Sequence, residues 1–205
     1  MGKRNKLYKA TDFERAPADF HPTPPDLTLG LIDGLAQAAI ALPGPVLEPC
    51  CGIGAMATNL AAECGLNVIG TDLYPELYTE AAALYATTSP VDARDADALL
   101  KVIKTTGGAA LMTYPPCGRD HHRIAEAFVH LLRGGSTHFA ALLVPHQFDA
   151  AGQRGHLFQN PHCALRIVMP WRPAWIAGRT VAGQSPRHGG LDCGAERPAG
   201  HGVGQ

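Results

Sequence analysis

The sequence predicts an α/β protein built on a doubly wound, mostly parallel sheet. Three observations predict it. Short apolar runs alternate with helix-length segments through the middle of the chain, as strands joined by crossover helices do. A turn of small residues, Gly52-Ile53-Gly54, links the first of these runs to its helix. An acidic residue, Asp72, closes the next run, twenty residues after Gly52.

The elements follow in order. Residues 1–25 read as an N-terminal arm, because Pro22, Pro24 and Pro25 remove backbone donors and clash with a preceding helical turn. Asp26 stands where a helix cap belongs, and residues 27–42 carry apolar side chains at helical spacing until Pro43-Gly44-Pro45 stops them. Residues 46–48 are the first strand, 55–64 a helix, 67–70 the second strand and 75–85 a second helix. A weak third strand is expected near residues 91–94, then a helix over 96–105. Residues 109–114 and 138–144 are the fourth and fifth strands, flanking a helix at 123–133, and residues 165–170 a sixth. Past Gly178 the large apolar side chains are Val181, Leu191 and Val203 among recurring glycines. Such a segment buries too little apolar surface to offset its ordering entropy. The expected organisation is therefore an arm at 1–25, one domain at 26–178 and a disordered tail at 179–205.

Composition narrows the function classes. With 205 residues, 17 basic against 18 acidic side chains and a formal net charge of −1, the chain fits one ordinary domain and not a protein that coats nucleic acid through bulk charge. The longest apolar run, residues 139–144, is far short of the roughly 20 residues of a membrane span. No apolar stretch follows the basic start, so no secretory signal is read there. The six cysteines contain no C-x-x-C pair and read as reduced cytoplasmic thiols. His121 and His122 are adjacent and diverge on a helix, so no metal site is expected.

Glycines at 52 and 54 let backbone approach a ligand, and the helix that follows presents free N–H groups. A carboxylate at Asp72 is placed to accept from ribose hydroxyls. Gly52-x-Gly54-x-x-Ala57 with Asp72 also satisfies a loose dinucleotide fingerprint, and a tight turn with no ligand is the plain structural alternative.

Glu48-Pro49, a small pair and then Gly52-x-Gly54 resembles the first motif of S-adenosylmethionine-dependent methyltransferases. His21-Pro22-Thr23-Pro24 resembles the Tyr-Pro-Thr-Pro element before that motif in DNA adenine-N6 methyltransferases. Thr113-Tyr114-Pro115-Pro116 stands where those enzymes carry Asn/Asp-Pro-Pro-aromatic, and residues 171–178 resemble a segment of their small phage- and plasmid-type members. The resemblance spans about residues 19–178. It implies a Rossmann-like methyltransferase sheet, here expected to lack the last antiparallel strand, since no apolar run follows Gly178 to supply it. It implies S-adenosylmethionine as cofactor and DNA as substrate. Gly52 and Gly54 would face the methionine moiety, with Pro49 and Cys51 in the same turn. Glu48 would anchor the loop or the α-amino end. Asp72 would bind the ribose, with Leu73 and Tyr74 near the adenine. Asp95 or Asp97 would accept from the adenine amine, the alternative for either being a helix cap.

At the catalytic position the chain departs from the family. There an amide or carboxylate oxygen and a proline-region carbonyl accept from the target amine, and an aromatic stacks on the flipped base. Here Tyr114, Pro115, Pro116 and Cys117 fill those places. Tyr114 is too long for the first role, and Cys117 has no π-face, a loss of roughly 1–3 kcal/mol of stacking. The implication is a weakened or inactive enzyme. Pro116-Cys117 matches only the dipeptide of enzymes that use a thiol nucleophile. The alternatives are an S-adenosylmethionine- or nucleoside-binding domain without catalysis, and a nicotinamide-dependent enzyme. Arg154, Arg166, Arg172 and Arg179, beside Trp171 and Trp175, form the best candidate strip for nucleic acid.

Overall fold

The computed structural model describes residues 21–107, 110–116, 121–148, 152–159, 161–171 and 173. Most of the N-terminal arm, Cys117, the Arg172 and Arg179 positions, Trp175 and the whole tail, with any seventh strand, lie outside the described residues.

The fold is mixed α/β. Helix α1 (Pro25–Gln37) leads into strand β1 (Val46–Glu48), helix α2 (Ala55–Cys64) and strand β2 (Val68–Gly70). Helix α3 (Ala96–Thr106), strand β3 (Ala110–Thr113), helix α4 (His121–Arg133), strand β4 (Phe139–Leu142) and the short helix α5 (Gly155–Phe158) follow. The four strands form one all-parallel sheet in the order β2-β1-β3-β4, an arrangement compatible with a Rossmann-like fold.

Alternate residues of the strands feed opposite layers, as a pleated backbone requires. Val46, Ala110 and Met112 pack with Ile32 of α1 and Met56 and Leu60 of α2. Leu47 and Leu111 pack with Leu99 of α3 and Ile124, Phe128 and Leu131 of α4. β1 and β3 are buried at every position. This explains why they read as continuous apolar runs and not as alternating ones. No helix among the described residues is long and apolar enough to cross a membrane.

Several expected elements differ. Asp26 does not cap α1. The cap position is Pro24, and Pro25 takes the first helical position, where its missing N–H is no loss. The helix stops at Gln37, five residues before the expected end, in a left-handed turn at Ala39 (φ 55°) closed by Ile40 N–H donating to the Leu35 carbonyl. The expected helix over 75–85 is two 3₁₀ pieces, Pro75–Leu77 and Thr79–Leu84, with Tyr78 between them. Its alanine-rich stretch offers no continuous apolar stripe to hold an α-helix against the sheet. Residues 91–94 are not a strand. The Asp92 carboxylate accepts from Arg94 N–H at 2.9 Å, so a side chain competes for the backbone and makes a turn. In place of a third strand, Tyr85 makes an isolated parallel bridge to Gly70. Residues 165–170 join no sheet and have no regular secondary structure, with a bend at Pro170.

Candidate functional site

The sheet reverses its direction of growth at β1, whose two neighbours are β2 and β3. At such a point the loops after the two strands separate and leave a crevice beyond their carboxyl ends. An open cleft of about 130 Å³ lies there.

The glycine turn forms one wall. Gly52 and Gly54 have φ of 51° and 76°, and Gly54 caps α2 in the left-handed region. The backbone angle demands glycine at Gly54, and a Cβ there would also push Leu84 Cδ1 aside. Three backbone and side-chain bonds fix the turn. Cys51 N–H donates to the Thr71 carbonyl at 3.0 Å, continuing the β1–β2 pairing past the strands. Gly52 N–H donates to Asp72 Oδ2 at 3.0 Å. The Tyr85 hydroxyl donates to the Gly52 carbonyl at 2.7 Å. Burial pushes the Tyr85 phenol far up, so it stays a donor.

Asp72 also accepts from Tyr74 N–H through Oδ1 at 3.0 Å. Each of its oxygens thus holds one backbone donor and keeps capacity for another. Leu73 and Tyr74 line the cleft beside it. Tyr114 and Pro116, after β3, line the opposite wall, and His21 and Thr23 close the side next to α1.

Glu48 stands behind the turn. It is 2% exposed, and its Oε2 accepts from Ala57 N–H in the first turn of α2 at 3.1 Å. Burial drives its carboxyl up to about 8, against the lowering effect of hydrogen bonds from Cys51 and Ala57 and with a further upward push from the Asp72 charge. At neutral pH it carries a proton. The neighbouring thiols are held protonated as well: burial pushes Cys50 up to about 12, and burial with Glu48 beside it pushes Cys51 higher still. Neither is poised as a nucleophile.

Of the residues singled out from sequence, the cleft brings together Pro49, Cys51, Gly52, Asp72, Leu73, Tyr114 and Pro116. Glu48 and the buried Pro115 stand behind it, and Gly54 sets the turn. Asp95 and Asp97 belong elsewhere. Both are exposed, and Asp95 Oδ1 accepts from Asp97 N–H at 2.9 Å and Ala98 N–H at 3.2 Å as the cap of α3. The acid that does face the cleft is Asp92, which sequence reading passed over. Arg94 clamps it through Nε at 2.8 Å and a terminal guanidinium nitrogen at 2.7 Å, and this holds the Asp92 carboxyl below its usual range. The Asp92-x-Arg94 spacing inside an expected strand was the available signal. Nothing in the sequence announced Tyr85.

The expected nucleic-acid strip is only partly in view. The Arg154 guanidinium lies 4.3 Å from the centroid of the Phe148 ring, which is itself buried at 5% exposure. Arg166 donates to the His146 carbonyl at 3.4 Å. No group of three or more metal-ligating side chains able to hold an ion is found among the described residues.

Comparison of the chain with protein-family models, with curated proteins and with solved structures finds no match in any of the three.

Proposed function

We propose that this chain is an S-adenosylmethionine-dependent methyltransferase directed at the exocyclic amine of adenine in DNA, weakened or inactive at its acceptor side. The observation that carries the cofactor half is the carboxyl that takes a donor in the first turn of α2. In a dinucleotide enzyme that helix end holds a pyrophosphate. Here the Glu48 carboxyl already takes the Ala57 N–H, and no phosphate fits the same donor. The ligand that suits this turn is a nucleoside with no phosphate on it. Asp72 supplies the acceptor for its ribose, and Gly52 and Pro49 supply close backbone for the rest.

S-adenosylmethionine supplies an electrophilic methyl group to an acceptor amine when bound. The chain's own part is to hold the nucleoside against Asp72 and to present an acceptor amine from the β3 side. Tyr114 and Pro116 are the described residues on that side. The bulk of Tyr114 in place of a short amide favours the second reading, a domain that binds the nucleoside without transferring a methyl group.

Calorimetric titration tests the proposal. S-Adenosylmethionine should bind the purified chain and NADH should not. Asp72→Ala should weaken binding roughly 10- to 100-fold, the value of a hydrogen bond to a charged acceptor. Absence of S-adenosylmethionine binding to a folded chain refutes both readings. Transfer of a labelled methyl group to adenine in DNA separates the first from the second.

A further inference from the structure

The geometry points to residues 167–171 as a strap that fixes the cleft's wall next to α1, with Asp26 and Trp171 as positioning residues for the ligand the cleft holds. The strap has no regular secondary structure, bends at Pro170 and Trp171 and lies outside the sheet. Its side chains alternate: Ile167, Met169 and Trp171 are half-buried, and Val168 and Pro170 between them are exposed.

The buried set lies on α1. A Cβ on Gly34 would come within 2.7 Å of Ile167 Cδ1, and one on Gly30 within 2.6 Å of Met169 Sδ and 3.1 Å of Trp171 Cη2. The two glycines are one turn apart on one helix face, so they leave a groove in which the strap sits. Trp171 then reaches the start of the helix, where its indole Nε1 donates to Asp26 Oδ2 at 3.1 Å.

Ile167 against Gly34, Met169 against Gly30 and Trp171 against Asp26 run in opposite directions along the strap and the helix, two strap residues for each turn of α1.

The strap's far end meets the cleft through α1. Asp26 lies three residues after the cleft-lining Thr23, which is buried, and Leu27 N–H donates to the Pro24 carbonyl at 3.0 Å. Fixing Asp26 fixes the angle at which His21 and Thr23 enter the cleft. The strap thus couples two stretches 145 residues apart in sequence.

Hydrogen–deuterium exchange on the full chain tests the strap without any ligand. Trp171→Phe keeps the bulk and removes the donor, Asp26→Ala removes the acceptor, and Gly34→Val fills the groove. Each should speed exchange at the amides of residues 21–27 and leave residues 46–72 unchanged. Asp26→Asn keeps an acceptor oxygen and should stay close to wild type. The ligand arm rests on the function proposed above. With S-adenosylmethionine as the probe, Trp171→Phe and Asp26→Ala should raise Kd about tenfold, the scale of one such hydrogen bond, and Asp26→Asn should restore it. Unchanged exchange at 21–27 in folded Trp171→Phe and Asp26→Ala overturns the strap, as does unchanged Kd in variants whose exchange has risen. If the wild-type chain does not bind S-adenosylmethionine, the proposed function fails, and the strap stands or falls on exchange alone.

Discussion

The two walls of the cleft are built by different means. On the β1–β2 side, backbone does the positioning: Cys51, Gly52 and Tyr74 donate main-chain N–H groups, and Asp72, Tyr85 and Glu48 hold the turn with side chains aimed at main chain. On the β3 side the wall is made of the side chains Tyr114 and Pro116, on a segment that leaves the sheet after Thr113. A wall of backbone is fixed by a few glycines and one acid and tolerates change elsewhere. A wall of side chains has its chemistry rewritten by each substitution. Alterations on the first side should therefore move stability and ligand binding together, and alterations on the second should move activity alone.

The largest expected effect is at Glu48. Its folded pKa, about 8, lies above its unfolded value of about 4.5. Between those values the unfolded chain has lost a proton that the folded chain keeps. Stability from this group is complete below about pH 4.5 and falls as pH rises to about 8, by about 1.4 kcal/mol per pH unit. Glu48→Gln keeps an acceptor for Ala57 N–H and cannot ionise. Urea unfolding across that window should show a flatter stability profile and a more stable variant at pH 8. An unchanged slope would place the titration elsewhere.

Next is Gly54→Ala. A left-handed non-glycine residue costs about 1–2 kcal/mol, and overlap with Leu84 adds about 1–3 kcal/mol. Denaturant midpoints and nucleoside affinity should fall together; a loss of stability with affinity intact would break the link between the turn and the ligand. Tyr85→Phe should cost about 1–2 kcal/mol by leaving the Gly52 carbonyl without its donor, and should weaken nucleoside binding without altering methyl transfer per bound molecule. Last is Tyr114→Asn combined with Cys117→Tyr, read by methyl transfer and not by stability. That pair should raise methyl transfer to adenine roughly ten- to a hundredfold, through restored stacking. No gain in a folded variant would locate the defect elsewhere.

The same contrast explains what the sequence made legible. β1, α2 and the nearness of Gly52 to Asp72 were readable because each rests on local rules: apolar runs, a glycine turn, an acid at a strand end. Asp95 was ambiguous because an acid before a helix suits both a ligand site and a cap, and its contacts with Asp97 and Ala98 make it the cap of α3. Asp92 was hidden because its role needs the turn it makes with Arg94, which breaks the strand it seemed to occupy. Residues 165–170 carry a short strand-like apolar run, Ile167-Val168-Met169, yet the glycine face of α1 offers it a different partner. Such a choice between partners is tertiary and leaves no local trace.

The isolated bridge at Tyr85 has one more consequence. Where a further ladder would seal the sheet beyond β2, a single phenol and a short irregular segment do so. The rim of the pocket is therefore held by separate bonds and not by a ladder: the Tyr85 hydroxyl on the Gly52 carbonyl, Ala86 N–H on the Gly70 carbonyl and Val91 N–H on the Asp72 carbonyl.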